Sequence, residues 1–173
     1  MKKIVLTFGL IAGGIMSLMF ALTIPFHDEI GFDRGVVIGY TSMVLAFLLV
    51  FFGIRTYRDN IAGGSVGFGQ ALKVGSLIVL VASVTYVMAW QVIYYGGIMP
   101  DYMTKYTAHV IDKERAKGAS EAELAKKATE MQEFEEMYKN PLVNFGLTIL
   151  EPLPVGLIIT LVSAAVLRRK STA

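Results

Sequence analysis

No cysteine occurs in this chain. That excludes disulfides, thiolate zinc sites and cysteine nucleophiles in one step. Histidine is almost as scarce, with only His27 and His109. Their separation offers no metal-ligand spacing, so no metal and no cofactor are expected. Charge is missing in a more informative way: Asp, Glu, Lys and Arg make up 17% of the 173 residues, yet four long stretches are almost free of them. The net charge of +2 is nearly neutral and gives no ground for a nucleic-acid partner.

What is present is apolar. Hydrophobic residues make up 54% of the chain and the mean hydropathy is +0.57. They fall in blocks, as expected when lipid rather than one water-excluded core receives the apolar surface. The blocks run over about 4–24, 36–54, 74–95 and 145–167. About 20 residues rising 1.5 Å each cross a hydrocarbon core of about 30 Å. Residues 1–173 therefore read as a single all-α membrane domain with four transmembrane helices. Trp90, Tyr94 and Tyr95 close the third block like an interface belt. Arg168, Arg169 and Lys170 stop the fourth. The first apolar run is longer than that of a signal peptide, so it is expected to be retained.

Loops kept in the cytoplasm are enriched in Lys and Arg. Placing both termini inside puts Lys2, Lys3, Arg55, Arg58, Lys73 and the Arg168–Lys170 run on the cytoplasmic side. The segment of about 100–140 then lies outside, with seven basic residues mixed among nine acidic ones. Met99, Met103, Tyr106 and Val110 repeat there at helical spacing. After Gly118, Ser120 and Glu123 form a capping box. Leu124, Ala128, Met131, Phe134 and Tyr138 line one face of a second helix, and Asn140-Pro141 ends it. The expectation is an extracytoplasmic helical hairpin with Met131 and Phe134 buried, which could pack on itself or dock a membrane or periplasmic partner.

Glu151, in Leu150-Glu151-Pro152-Leu153-Pro154, is the one acidic residue inside a block. Counting helical rise from Arg168 places it near the outer edge of the hydrocarbon, and Gln91 reaches a similar depth on span three. An intramembrane carboxylate is a functional hypothesis by default, whereas one in the headgroup region is simply hydrated. The two prolines predict a kink or a helix start there. Gln91 and Tyr94 could form one wall of a pocket, joined by Glu151 and by His27 from the loop between spans one and two; these four are the candidate ligand-binding residues. No nucleophile–base pair stands out, so no catalytic residue is assigned. The glycine-rich stretch around Gly63-Gly64-Ser65 lacks a phosphate-loop pattern and reads as a flexible turn with basic anchors on anionic lipid. Gly9, Gly13 and Ser17, like Gly31, Gly35 and Gly39, recur four apart and allow close helix packing, within one bundle or in a homo-oligomer.

Several strings are similar to a known family. Phe52-Gly53-Ile54-Arg55-Thr56-Tyr57-Arg58-Asp59-Asn60, Gly63-Gly64-Ser65, Pro100-Asp101-Tyr102, Glu136-Met137-Tyr138-Lys139-Asn140-Pro141 and Glu151-Pro152-Leu153-Pro154 resemble a bacterial membrane family, domain of unknown function 4199. The resemblance implies four spans in a bacterial inner membrane and carries no activity. A non-enzymatic scaffold or regulator acting through the outer helices is the leading reading. The alternatives are a small transporter or channel subunit using Glu151 and Gln91, or a membrane enzyme acting on a lipid or envelope substrate.

Overall fold

A backbone in hydrocarbon has no water to bond, so each apolar block must satisfy its own N–H and C=O groups, and it does so as helix. In the computed structural model, which describes residues 1–169, α1 spans Lys2–Thr23, α2 His27–Asn60 and α3 Phe68–Tyr95. α4 spans Tyr102–Ala116, α5 Glu121–Tyr138, α6 Pro141–Ile149 and α7 Pro152–Leu167. Lys170, expected among the residues that stop the fourth block, lies outside the described residues. Among the described residues the β pairing consists of the single bridge Val66–Arg169, so the protein is all-α. Three stretches are long and apolar enough to cross a membrane: Lys2–Asn60, Phe68–Tyr95 and Pro141–Leu167.

The helices run past the apolar blocks. α2 begins at His27, not near Val36, so His27, Asp28 and Glu29 form a first helical turn instead of a loop. Acidic residues suit that position, where the helix dipole is positive. Gly31 then interrupts α2 at φ 70° and ψ 165°, a conformation that residues with a Cβ resist. α2 continues to Asn60 and α3 starts at Phe68, which shortens the glycine-rich turn to 61–67. The fourth block is two helices. Pro152 and Pro154 have no N–H to give to a carbonyl one turn earlier, and the helix breaks at Leu150-Glu151.

The chain forms two compact units, Met1–Ala89 with the residues from Ile149 onward, and Trp90–Thr148. In the first, α1 packs along α2 and α2 along α7. Phe8, early in α1, lies against Gly53, late in α2, so these two helices are antiparallel. Met16, Phe47, Val50, Ile54, Ile78 and Ala164 sit in the core. The outward faces are apolar too, with Leu18, Leu45, Ile158 and Val166 exposed. A helix bundle that is apolar both inside and outside is suited to lipid. Gly13 permits a close crossing: a Cβ there would stand 2.6 Å from Thr85 Cβ and 2.7 Å from the Ala82 carbonyl oxygen.

One end of this unit collects its charge. Gln70 Nε2 donates to Tyr57 Oη at 2.9 Å and approaches Met1 Sδ at 3.9 Å, while Arg169 N donates to Val66 O at 3.0 Å. The start of α1, the end of α2, the start of α3 and the end of α7 therefore meet. They bring together Lys2, Lys3, Arg55, Arg58, Lys73, Arg168 and Arg169, with Asp59 as the acidic residue among them.

In the second unit α4 and α5 pack on one another across a turn in which Gly118 takes φ 88°. Leu124, Met131 and Tyr138 are buried, whereas Phe134 is only half-buried. The capping box forms as the sequence predicts: Glu123 N donates to Ser120 Oγ at 3.4 Å, and Ser120 N to Glu123 Oε2 at 2.8 Å. Hydrogen bonds from the Ser120 hydroxyl and N–H hold the Glu123 carboxyl below the usual glutamate range. A depressed carboxyl pKa stabilises the fold above the unfolded value of about 4.3, and the effect is lost as pH falls through the lower folded value. The protection factors of amides at the start of α5, which correct for the slower intrinsic exchange in acid, should therefore fall on acidification. In Ser120→Ala those protection factors should be lower already at neutral pH and change less with acid. Identical exchange in both proteins across that range would refute the cap's contribution.

Candidate functional site

Three polar side chains of the second unit converge on one residue, Asn144. α3 presents Trp90 and Tyr94 one turn apart, and Gln91 and Tyr95 likewise. α5 ends on Tyr138. Asn140 then starts α6, its Oδ1 accepting from Leu142 N at 2.9 Å, with Pro141 at the first helical position where its missing N–H costs nothing. That turn places Asn144 and Thr148 on one face of α6, both buried.

Asn144 Oδ1 accepts from Gln91 Nε2 at 2.8 Å, from Trp90 Nε1 at 3.1 Å and from Thr148 Oγ1 at 3.4 Å. Trp90 Nε1 also donates to Tyr138 Oη at 3.0 Å, and Tyr138 Oη pairs with Thr148 Oγ1 at 3.3 Å. Tyr95 Oη donates to the carbonyls of Tyr138 and Lys139, both at 3.2 Å. Aromatic rings wall this network. Tyr94 meets Tyr138 edge-on at 5.3 Å between centroids, and Tyr102 meets Trp90 at 4.9 Å. Every group named is neutral, and the donors of Trp90, Gln91, Tyr95 and Thr148 each reach a protein acceptor. Such a network fixes three helices against each other by the cost of leaving any member unpaired.

Of the four candidates, Gln91 and Tyr94 belong to this unit: Gln91 is bonded into the network and Tyr94 packs its ring beside it. His27 and Glu151 belong to the other. His27 opens α2, its Nδ1 3.7 Å from Asp28 Oδ1 and its ring edge-on to Phe32 at 4.8 Å. Glu151 is exposed at the N-cap of α7 and makes no side-chain capping bond. Among the described residues no group of three or more His, Cys, Asp or Glu side chains is placed to hold a metal ion.

A family model described as protein of unknown function DUF4199 matches residues 7–169. The chain belongs to that family. No curated protein and no solved structure matches it. In this DUF4199 protein the strings that carry the resemblance fall at structural breaks: the end of α2, the turn before α3, the junction of α5 with α6, and the start of α7. Asn144, Thr148 and the role of Tyr138 are what sequence reading misses. The one available signal is a pair of polar residues at i and i+4 in an otherwise apolar stretch.

Proposed function

We propose that this DUF4199 protein is a four-span protein of a bacterial inner membrane with both termini in the cytoplasm. It acts as a non-enzymatic scaffold or regulator, presenting α4 and α5 outside as a docking surface for a membrane or periplasmic protein. The observation that carries this reading is the network around Asn144. Its polar groups are spent on one another, which suits a rigid support better than a substrate site. The turn at Ile24–Gly31 and the antiparallel course of α1 and α2 favour two crossings within Lys2–Asn60. The basic end of the first unit favours a cytoplasmic position for that end.

The natural absence of cysteine makes the test direct. Glu133→Cys, on the exposed face of α5, should react with a membrane-impermeant maleimide in intact cells, and Asn60→Cys only after lysis. The reverse pattern would overturn the topology. A photo-crosslinker at Glu133 or Lys126 should then give one discrete protein adduct, and a series of exposed positions giving none would remove the docking role. The broken helix at Glu151 supports a second reading, transport, because an interrupted span with free carbonyls is a common ion or substrate site. Under that reading Glu151→Gln abolishes function while the α5 variants keep it.

A further inference from the structure

At the basic end of the first unit two arginines, Arg55 and Arg58, share the carboxylate of Asp59, and Arg169 stands at the same end. Arg58 Nε and Nη2 donate to the two oxygens of Asp59 at 2.7 and 3.2 Å. Arg55 Nε lies 3.7 Å from the same carboxylate. The bond from Arg169 N to Val66 O keeps Arg169 at this end. Asp59 stands in the last turn of α2, where the helix dipole disfavours an acid. Adjacent residues do not face each other on a helix, so Arg58 must fold over to reach it. The Arg58 side chain is only 10% exposed, while Asp59 at 43% and Arg55 at 58% stay open.

The charges do not balance. Two guanidiniums meet one carboxylate, Arg169 adds a third positive charge at the same end, and like charges held together call for a further anion. A guanidinium carries five N–H donors in a planar fork. Asp59 occupies two of those on Arg58, and the fork matches phosphate oxygens two at a time. A phosphate offers enough oxygens to span more than one arginine, whereas the Asp59 carboxylate takes both of its short bonds from Arg58.

We propose that Arg55, Arg58 and Arg169, arranged about Asp59, form a binding site for a phosphate group. An anionic lipid headgroup and soluble phosphate share that chemistry, and the site lies where basic residues attract both. This inference does not depend on the docking role of α4 and α5.

The test uses the full-length protein in micelles of a neutral detergent, titrated separately with phosphatidylglycerol, phosphatidylcholine and inorganic phosphate while its unfolding midpoint is followed. Phosphatidylglycerol should raise the midpoint saturably, and phosphatidylcholine, which has the same phosphodiester without net charge, should not. Arg58→Lys keeps the charge but loses the fork, and should weaken the apparent affinity about tenfold. Lys3→Gln, at the same end but outside the cluster, should change it less than about twofold. Because Arg58 is enclosed, the double variant Arg55→Gln with Arg169→Gln removes the two exposed guanidiniums and should also lose the stabilisation. If inorganic phosphate acts with the same arginine dependence, the source is soluble phosphate; if only phosphatidylglycerol acts, it is lipid. Equal affinity for both lipids, or wild-type binding by Arg58→Lys and the double variant, overturns the proposal.

Discussion

Asn144→Leu should destabilise the 90–148 unit more than any other single polar substitution in the protein. Leucine has the same number of side-chain heavy atoms as asparagine and branches at the same carbon, so the change removes hydrogen bonds without opening a cavity. Gln91 Nε2 then loses the partner it has among the described residues, and Thr148 loses one of two. Trp90 Nε1 keeps Tyr138. A stranded buried donor costs about 1–3 kcal/mol, and polar contacts between helices in a membrane fall towards the low end of that range. The sum expected is about 1–2 kcal/mol, dominated by Gln91. Gln91→Leu in the same background should recover part of the loss, because replacing both partners leaves nothing unpaired. Unfolding in mixed micelles, followed by circular dichroism, measures both. Wild-type stability for Asn144→Leu would mean that the network carries no load.

Gly13→Leu should separate α1 from α3, and the protein supplies its own control one residue away. At Gly13 an added Cβ meets Thr85 Cβ at 2.6 Å and the Ala82 carbonyl oxygen at 2.7 Å, and a backbone carbonyl has no rotamer by which to escape. At Gly14 it meets nothing within 4 Å. Leucine raises helix propensity equally at both positions, by about 0.8–1 kcal/mol. Any difference between the variants is therefore steric. Overpacking a filled interface costs about 1–3 kcal/mol, and more where backbone must move. Gly14→Leu should be neutral or slightly stabilising, and Gly13→Leu should lower the unfolding midpoint sharply. Equal midpoints would show that the crossing relaxes freely.

These two sites differ in how far the sequence reveals them. The spacing of Gly9 and Gly13 marks a close helix crossing, because small residues one turn apart have few other uses in a span. The α5 cap is legible for a similar reason: its chemistry is complete within Ser120–Glu123 and needs no distant partner. The polar stretch from His27 to Arg34 hides its helix, since charged residues beside a glycine read as a loop, and only the positive φ at Gly31 shows where the break falls. Depth along the third block singles out Gln91 and pairs it with Glu151. The structure joins Gln91 to Asn144, which stands at the edge of the fourth block and depends on a contact across more than 50 residues. The arginine cluster is half legible. Its positive charge is evident in sequence, but the folding of Arg58 onto Asp59 is not.

Trp90 is the only tryptophan in the chain, is 4% exposed, and carries its indole N–H inside the Asn144 network with the rings of Tyr94 and Tyr102 around it. Intrinsic fluorescence excited at the red edge of the ultraviolet band is therefore a single-site signal. It reports the integrity of the 90–148 unit and is silent about the rest of the protein, which contains no indole. Emission should be blue-shifted in the folded state and move to longer wavelength when this unit opens. Comparing that transition with the helical signal of the whole chain would reveal, without any label, whether the two units melt together or apart.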